Sequence, residues 1–403
     1  MTAKNSAAPT NAPLYLLALG TFAVGAEGFM IAGILPSIAA DLSVSVSVAG
    51  QLVAAFAFAY AISSPVLTAL SSGINRRRLL IFAMGAFTLA NLLAWSATGY
   101  WSLMGARILL AFAAGLYVPS ANALAAAMVT PQRRGSALAI VNGGLTVAIA
   151  LGVPLGTFIA NKFGWRMTFV GLAMVAAVAT AGLSLGLPAS IGAGLPVASL
   201  RERINVARQP AVLLALLGTT LWAMGGYTVY TYLALFVQTV TTIQGEHVGY
   251  VLFMWGVAAA IGVALGGTAN DKFGFRPVIL PALFFMVVSF LTLSATAHLL
   301  SQTMAIAPMF VAVAVWGIAA WAFYPAQQAR LMAIAGIKVA PIALSLNASF
   351  MYLGFSLGAG VGSLTLAYSR VSNLGLVAAA FVASSLLLTL GTTRRNVLKV
   401  ELA

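Results

Sequence analysis

Long apolar runs follow one another along almost the whole of this chain, and that succession leaves few ways for it to fold. A helix needs roughly 20 mostly apolar residues to cross a hydrocarbon core of about 30 Å, and run after run meets that length. Composition agrees, because 62% of the 403 residues are hydrophobic and only 6% are charged, more apolar surface than a soluble domain needs. Polar or charged turns separate runs at 14–38, 48–70, 79–97, 102–129, 135–159 and 166–187. A more polar stretch, Pro188 to Gln209, carries Arg201, Glu202, Arg203 and Arg208 before runs resume at 211–237, 248–268, 278–297, 304–332, 341–368 and 374–391.

The sequence therefore predicts an all-α polytopic membrane protein with twelve transmembrane helices in two six-helix bundles. The division expected is a tail at 1–13, a first bundle at 14–187, a central loop at 188–210, a second bundle at 211–391 and a tail at 392–403. The first run is too long for the core of a signal peptide, so it is expected to be retained as a helix. Internal repetition supports two bundles of one design. The tract Pro119 to Gly156 has a counterpart from Pro325 to Gly362, with Gly152 and Gly358 at the same offset. The turn holding Arg76, Arg77 and Arg78 likewise matches the one holding Asp271 and Arg276.

Basic residues fall unevenly on the two sides. With the N-terminus on side one, that side holds Lys4, Arg76, Arg77, Arg78, Arg133, Arg134, Arg201, Arg203, Arg208, Lys272, Arg276, Arg330, Lys338, Arg394, Arg395 and Lys399. Side two holds Lys162, Arg166 and Arg370. Such a bias puts both termini and the central loop in the cytoplasm. The net charge of +14 thus reads as topology, and no nucleic-acid partner is expected. Arg76 to Arg78 are explained by topology alone, although anionic headgroups are a further partner for them.

The chain has no cysteine and only two well-separated histidines, His247 and His298, which argues against disulfides, thiol chemistry and a metal site. No phosphate-binding loop, dinucleotide fingerprint or nucleophile elbow stands in a suitable context, so no cofactor is expected.

Among six acids, only Glu27 lies deep in a run. A carboxylate there costs at least ~2.5 kcal/mol, a cost that taking up a proton relieves, and an acid that exchanges protons with both sides suits proton coupling. The alternative is a carboxylate bonded to a neighbouring helix. Arg107 is the one basic residue well inside a run, since Arg330 is expected close enough to an end to snorkel. Its fixed charge could stabilise Glu27, hold a substrate carbonyl or close a gate, or it could be a packing strut.

Aromatic and amide residues concentrate in the second half, at Trp222, Tyr227 and Tyr230, then at Trp316, Trp321, Tyr324, Gln327 and Gln328. Trp321, Tyr324 and Gln328 share one helix face, which could stack on a flat ring and bond its edge, or could simply pack. Tyr60, Gln51 and Tyr117 are weaker candidates.

With these residues in view, the chain resembles the major facilitator superfamily, and within it the bacterial drug:proton antiporter branch. The likeness runs from Gly20, Gly25, Glu27, Phe29, Gly33 and Pro36 in the first run, through Arg107 at the position of the family's intramembrane arginine, to Gly152, Pro154 and Gly156 of its antiporter motif. Glycines permit close packing and proline bends the helix, as a hinge requires. The signature turn departs from the pattern, with Ser71 and Ser72 where the family has an acid. Its second copy, Gly267, Asp271, Gly274 and Arg276, is nearly complete, so a charge latch is expected to depend on the second half. Trp321 to Gln328 and Gly226 to Tyr232 are similar to purine or nucleoside efflux pumps, with sugar exporters nearby.

The resemblance implies a monomer in a bacterial inner membrane, with Asn142 and Asn347 on helices facing a central cavity. Each asparagine is then a substrate ligand or an interhelical bond. The expected function is proton-coupled export of a small, neutral or weakly polar organic molecule by alternating access. A facilitator or importer of the same fold, a receptor, and a membrane-embedded enzyme are the rival readings; the last two lack a signalling domain and a polar catalytic cluster.

Overall fold

Twelve helices in the described residues are long and apolar enough to cross a membrane. They are α1 (Ala12–Asp41), α2 (Val46–Leu70), α3 (Arg76–Trp95), α4 (Tyr100–Ala127), α5 (Arg134–Phe163), α6 (Arg166–Gly186), α7 (Pro210–Tyr230), α8 (Val248–Phe273), α9 (Arg276–Leu299), α10 (Ile306–Ala335), α11 (Ala340–Tyr368) and α12 (Leu374–Glu401). This computed structural model describes residues 11–71, 73–130, 133–188, 191, 198–336 and 339–401, with side chains as far as Thr392. Lys4, Ser72 and Lys338, most of the expected N-terminal tail, residues 189–190 and 192–197 of the expected central loop, and the side chains of Arg394, Arg395 and Lys399 lie outside the described residues.

Local chemistry sets several boundaries. Ser45 caps α2 by accepting from the Val48 N–H at 3.2 Å, and Asn75 caps α3 by accepting from Arg77 at 2.9 Å. In α5 the expected motif is a real irregularity: a π turn covers Ala148–Gly152 and Pro154 follows it. Proline has no N–H to return to the preceding turn, so a local change of helix pitch accommodates it. Between the halves a short helix, Leu200–Ala207, is capped by Ser199 and Glu202, and the Ser199 N–H and hydroxyl hold the Glu202 carboxyl below its ordinary range. Arg203 of this helix donates to Ser345 of α11 at 2.7 Å.

Three expectations need correction. The run 211–237 is not one helix: α7 stops at Tyr230 and a separate helix covers Leu233–Val240. The break lets Tyr232 pass between α2 and α11, where a Cβ on Gly50 or Gly362 would collide with its ring, and its hydroxyl donates to the Ala359 carbonyl at 2.8 Å. Arg330 does not snorkel. It is buried, with its guanidinium donating to Thr392 at 2.8 Å on α12. Arg77 does more than mark topology, because it donates to the carbonyls of Leu187 at 2.7 Å and Ser184 at 2.5 Å, closing the C-terminal end of α6.

The two halves meet where α2 lies along α11 and where α5 packs on α8. At the end away from the termini the first of these seams is fastened reciprocally. Ser47 donates to the Ser363 carbonyl at 2.8 Å, Ser363 to the Ser47 carbonyl at 2.8 Å, and the hydroxyl oxygens are 2.9 Å apart. Tyr230 adds a bond across the halves to the Phe29 carbonyl at 3.1 Å. Half-exposed Asn122, Tyr324 and Gln328 lie toward the terminal side instead, so the fastened mouth is the opposite one.

Because the chain has no cysteine, this seam can be tested without background. The double variant S47C/S363C is expected to form a disulfide on mild oxidation, since sulfur on its longer bonds comes within reach. Maleimide labelling should then fall to near zero and return on reduction. Undiminished labelling after oxidation would show that the two ends do not meet.

Candidate functional site

Glu27 sits midway along α1 with no exposed surface, and α1 can place it there because its neighbours are small. Gly25 fits against Leu145 and Ala148 of α5, while Gly152 of α5 fits against Ala26. The predicted glycine motif therefore seats the very turn that carries the acid. Across from it, Arg107 of α4, also fully buried, donates from Nη1 to Glu27 Oε1 at 2.8 Å. Arg107 Nε donates to the Leu52 carbonyl at 2.9 Å, and its guanidinium lies 4.9 Å from the centre of the Phe56 ring on α2. The pair thus ties α1, α4 and α2 together.

The pair is incompletely paired: among the described residues, Glu27 Oε2 and Arg107 Nη2 have no hydrogen-bond partner. Taking two charges out of water costs several kcal/mol per ion, and their attraction repays it only when the remaining donors and acceptors are used.

Two residues beyond Glu27, Phe29 points toward the second half and enters an aromatic cavity. Phe29, Trp222, Tyr227, Tyr230, Trp255, Trp316, Trp321 and Phe355 line it, with Met286 and small residues filling the gaps. Phe29 lies edge-on to Tyr230 at 5.8 Å and to Tyr227 at 6.2 Å, while Tyr227 stacks on Phe355 at 3.7 Å. The open space is about 20 Å³, room for no more than a water, so the rings here pack mainly on one another; widened, it would offer ring faces and little polar surface.

Of the residues picked from sequence, Trp222, Tyr227, Tyr230, Trp316 and Trp321 line this cavity. Tyr324 stands at its edge, 5.9 Å from Trp321. The others are elsewhere. Tyr117 donates to the Leu17 carbonyl at 3.1 Å within the first half. Gln51 meets Tyr100 at 3.5 Å toward the fastened mouth. Asn347 accepts from Thr219 at 2.7 Å and Gln327 donates to the Ala215 carbonyl at 2.7 Å, so both join α7 to its neighbours and neither lines the cavity. Asn142 is exposed, in a 3.4 Å bond with Asn122. Tyr60 stacks on Tyr352 across the halves.

Arg76 is buried and Arg276 exposed, while Gly274 ends α8 with φ of 77° and Asp271 beside it is exposed. The described ion pairs are Glu27 with Arg107 and Asp41 with Arg166, so the expected charge latch at Asp271 is not engaged here. Sequence reading missed Trp255 and Phe355 altogether. Trp255 is a large ring in an apolar run with nothing nearby in sequence to distinguish it from packing, and Phe355, beside Tyr352 and Ser356, carries no polar group of its own.

Comparison with known proteins now bears on the fold and site together. The family model described as Major Facilitator Superfamily matches residues 17–359. The chain belongs to the Major Facilitator Superfamily. This Major Facilitator protein is 34% identical over 92% of its length to the Inner membrane transport protein YdhP of Escherichia coli K12, covering 93% of that protein. It is also 32% identical over 64% of its length to a chloramphenicol resistance protein of Streptomyces lividans, covering 67% of that one. A solved peptide transporter, POT, superposes with a TM-score of 0.77 at 11% identity, covering 95% of this chain and 93% of the other, which speaks for the fold. As a Major Facilitator protein the chain is a membrane transporter and not an enzyme, and its substrates are small molecules.

Proposed function

We propose that this transporter exports a small, ring-containing, neutral or weakly polar organic molecule in exchange for protons, as a member of the drug:proton antiporter branch. The observation that carries the reading is the Glu27–Arg107 pair, closed at 2.8 Å without exposed surface beside an aromatic cavity. With Glu27 ionised the pair is neutral and clamps α1 to α4. A proton on Glu27 removes its half of the charge and leaves Arg107 on the Leu52 carbonyl and the Phe56 face, so the first half carries a buried, uncompensated positive charge near the cavity. Two charge states that favour different arrangements of the halves are what couples a proton to alternating access.

The basic bias assigns the terminal side to the cytoplasm, so the Ser47–Ser363 mouth faces outward and the cavity loads from within. The inner-membrane name of YdhP supports that membrane, and the chloramphenicol resistance name supports export. The proton gradient is the drive, without a cofactor, and a monomer suffices because the cavity lies within one chain.

The test uses energised everted vesicles and a panel of purines, nucleosides, sugars and amphipathic drugs, chloramphenicol among them. One class is expected to release protons in vesicles carrying the protein and not in those lacking it. Silence across the panel, with the protein verified in the membrane, counts against export by antiport; substrate movement without proton release points to a facilitator.

A further inference from the structure

Four ring pairs stack face to face in and around the cavity, one of them Trp222 on Tyr324 at 6.2 Å and 20°, inside the second half. In the others Tyr227 lies on Phe355 at 3.7 Å and 18°, Trp222 on Phe323 at 4.9 Å and 24°, and Tyr60 on Tyr352 at 3.7 Å and 17°. The first two of these also lie inside the second half. Among these stacks only Tyr60 with Tyr352 takes one ring from each half, so it is the one whose spacing must change when the halves move. Both residues fall near the middle of their helices, and Tyr352 keeps part of its surface exposed while Tyr60 is buried.

The pair also links the two working parts of the site. Tyr352 meets Phe355 of the cavity wall edge-on at 5.3 Å. Tyr60 meets Phe56 at 6.5 Å, and Phe56 carries the Arg107 guanidinium on its face. When the halves part, each tyrosine face loses its partner. A flat ring slipped between them restores both contacts at once, whereas a puckered or branched body of the same size restores neither.

We infer that Tyr60 and Tyr352 are a stacking clamp that selects planar ring substrates, each half holding one face of the ring. The inference gives a substrate class to the site proposed above and rests on that reading for its use in transport. Selection follows from thickness: the clamp rewards a molecule one ring thick and is indifferent to its edge chemistry.

The experiment is calorimetric titration of the purified full-length protein with 2-naphthol and with its saturated counterpart decahydro-2-naphthol, which shares the skeleton and hydroxyl but is not flat. The native protein is expected to prefer the planar probe by about fivefold, the range a pair of ring contacts supplies. Tyr60→Leu and Tyr352→Leu should remove that preference, bringing the two probes to similar affinity. Tyr60→Phe should keep it, and Tyr352→Trp, with a larger face, should increase it. A native protein without preference, leucine variants that retain it, or a tryptophan variant that fails to increase it overturns the clamp. Intact planar preference in a protein that moves nothing in vesicles sinks the transport reading and leaves the clamp standing.

Discussion

Glu27→Gln is expected to leave the protein inserted, folded and able to bind substrate while abolishing its accumulation against a gradient. Glutamine has the shape of protonated glutamate, and its side-chain oxygen can still accept from Arg107, which sits 2.8 Å from the native Oε1. Arg107 also keeps the Leu52 carbonyl at 2.9 Å and the Phe56 face. The variant therefore holds one charge state of the site permanently. One proton moving down one pH unit supplies about 1.4 kcal/mol, enough to sustain about a tenfold substrate gradient. That tenfold ratio should fall to unity in the variant, measured as labelled substrate in vesicles with an imposed pH gradient, and addition of substrate should no longer release protons. A variant that still concentrates substrate in response to pH removes Glu27 from the coupling.

The acid and the arginine are legible in sequence because charge is expensive in a hydrocarbon core, so a solitary Glu27 and a solitary Arg107 need a reason to be there. That they would touch is less legible. Eighty positions separate them, and their meeting depends on how Gly25 and Gly152 let α1 settle against α5. The number of helices is readable for the same reason as the charges, since length and apolarity act run by run. The division of run 211–237 at Tyr232 is not, because its cause lies in Gly50 and Gly362, far away in sequence.

Aromatic residues are legible as a group and illegible singly. Trp321 and Tyr227 stand in clusters of aromatic and polar residues and attract notice, whereas Trp255 lies in unbroken apolar sequence and Phe355, an equal partner in the cavity, is a plain phenyl ring beside Tyr352 and Ser356. Amides mislead in the opposite direction. Gln327 reads as a ligand and Asn347 as a ligand or an interhelical bond, and in the fold both are bonded to the backbone and hydroxyls of α7, with Gln327 Oε1 and Asn347 Nδ2 left without partners among the described residues. Arg330 shows the same rule, held by Thr392 of α12 instead of reaching the membrane surface.

Arg107→Met is expected to be the most damaging single change to the stability of the fold, and Glu27→Gln is expected to repair most of it. Methionine fills a similar volume and packs on Phe56, so little is lost in contact area. What it removes is the countercharge of a carboxylate that has no exposed surface and no other partner among the described residues. Breaking a buried pair from one side costs about 3–5 kcal/mol where the remaining charge stays ionised. Glu27→Gln leaves Arg107 the Leu52 carbonyl and the Phe56 face, whereas Arg107→Met leaves the carboxylate neither, and the loss is fullest at high pH, where the carboxylate cannot escape by taking up a proton. Replacing both members leaves no charge to strand, and the exchange of a buried pair for neutral groups is often neutral or stabilising by about 1–4 kcal/mol. The cycle is read as thermal unfolding of purified protein in detergent for the native chain, both single variants and the double variant. The Arg107→Met single variant should unfold at the lowest temperature, and the double variant should recover toward the native value. If the double variant is as unstable as Arg107→Met, the loss lies in packing around α4 and not in charge, and the pair would be a strut that happens to be ionised. Recovery of stability without recovery of gradient-driven transport would separate the two roles of these residues, since the repaired protein keeps its fold with nothing left to titrate.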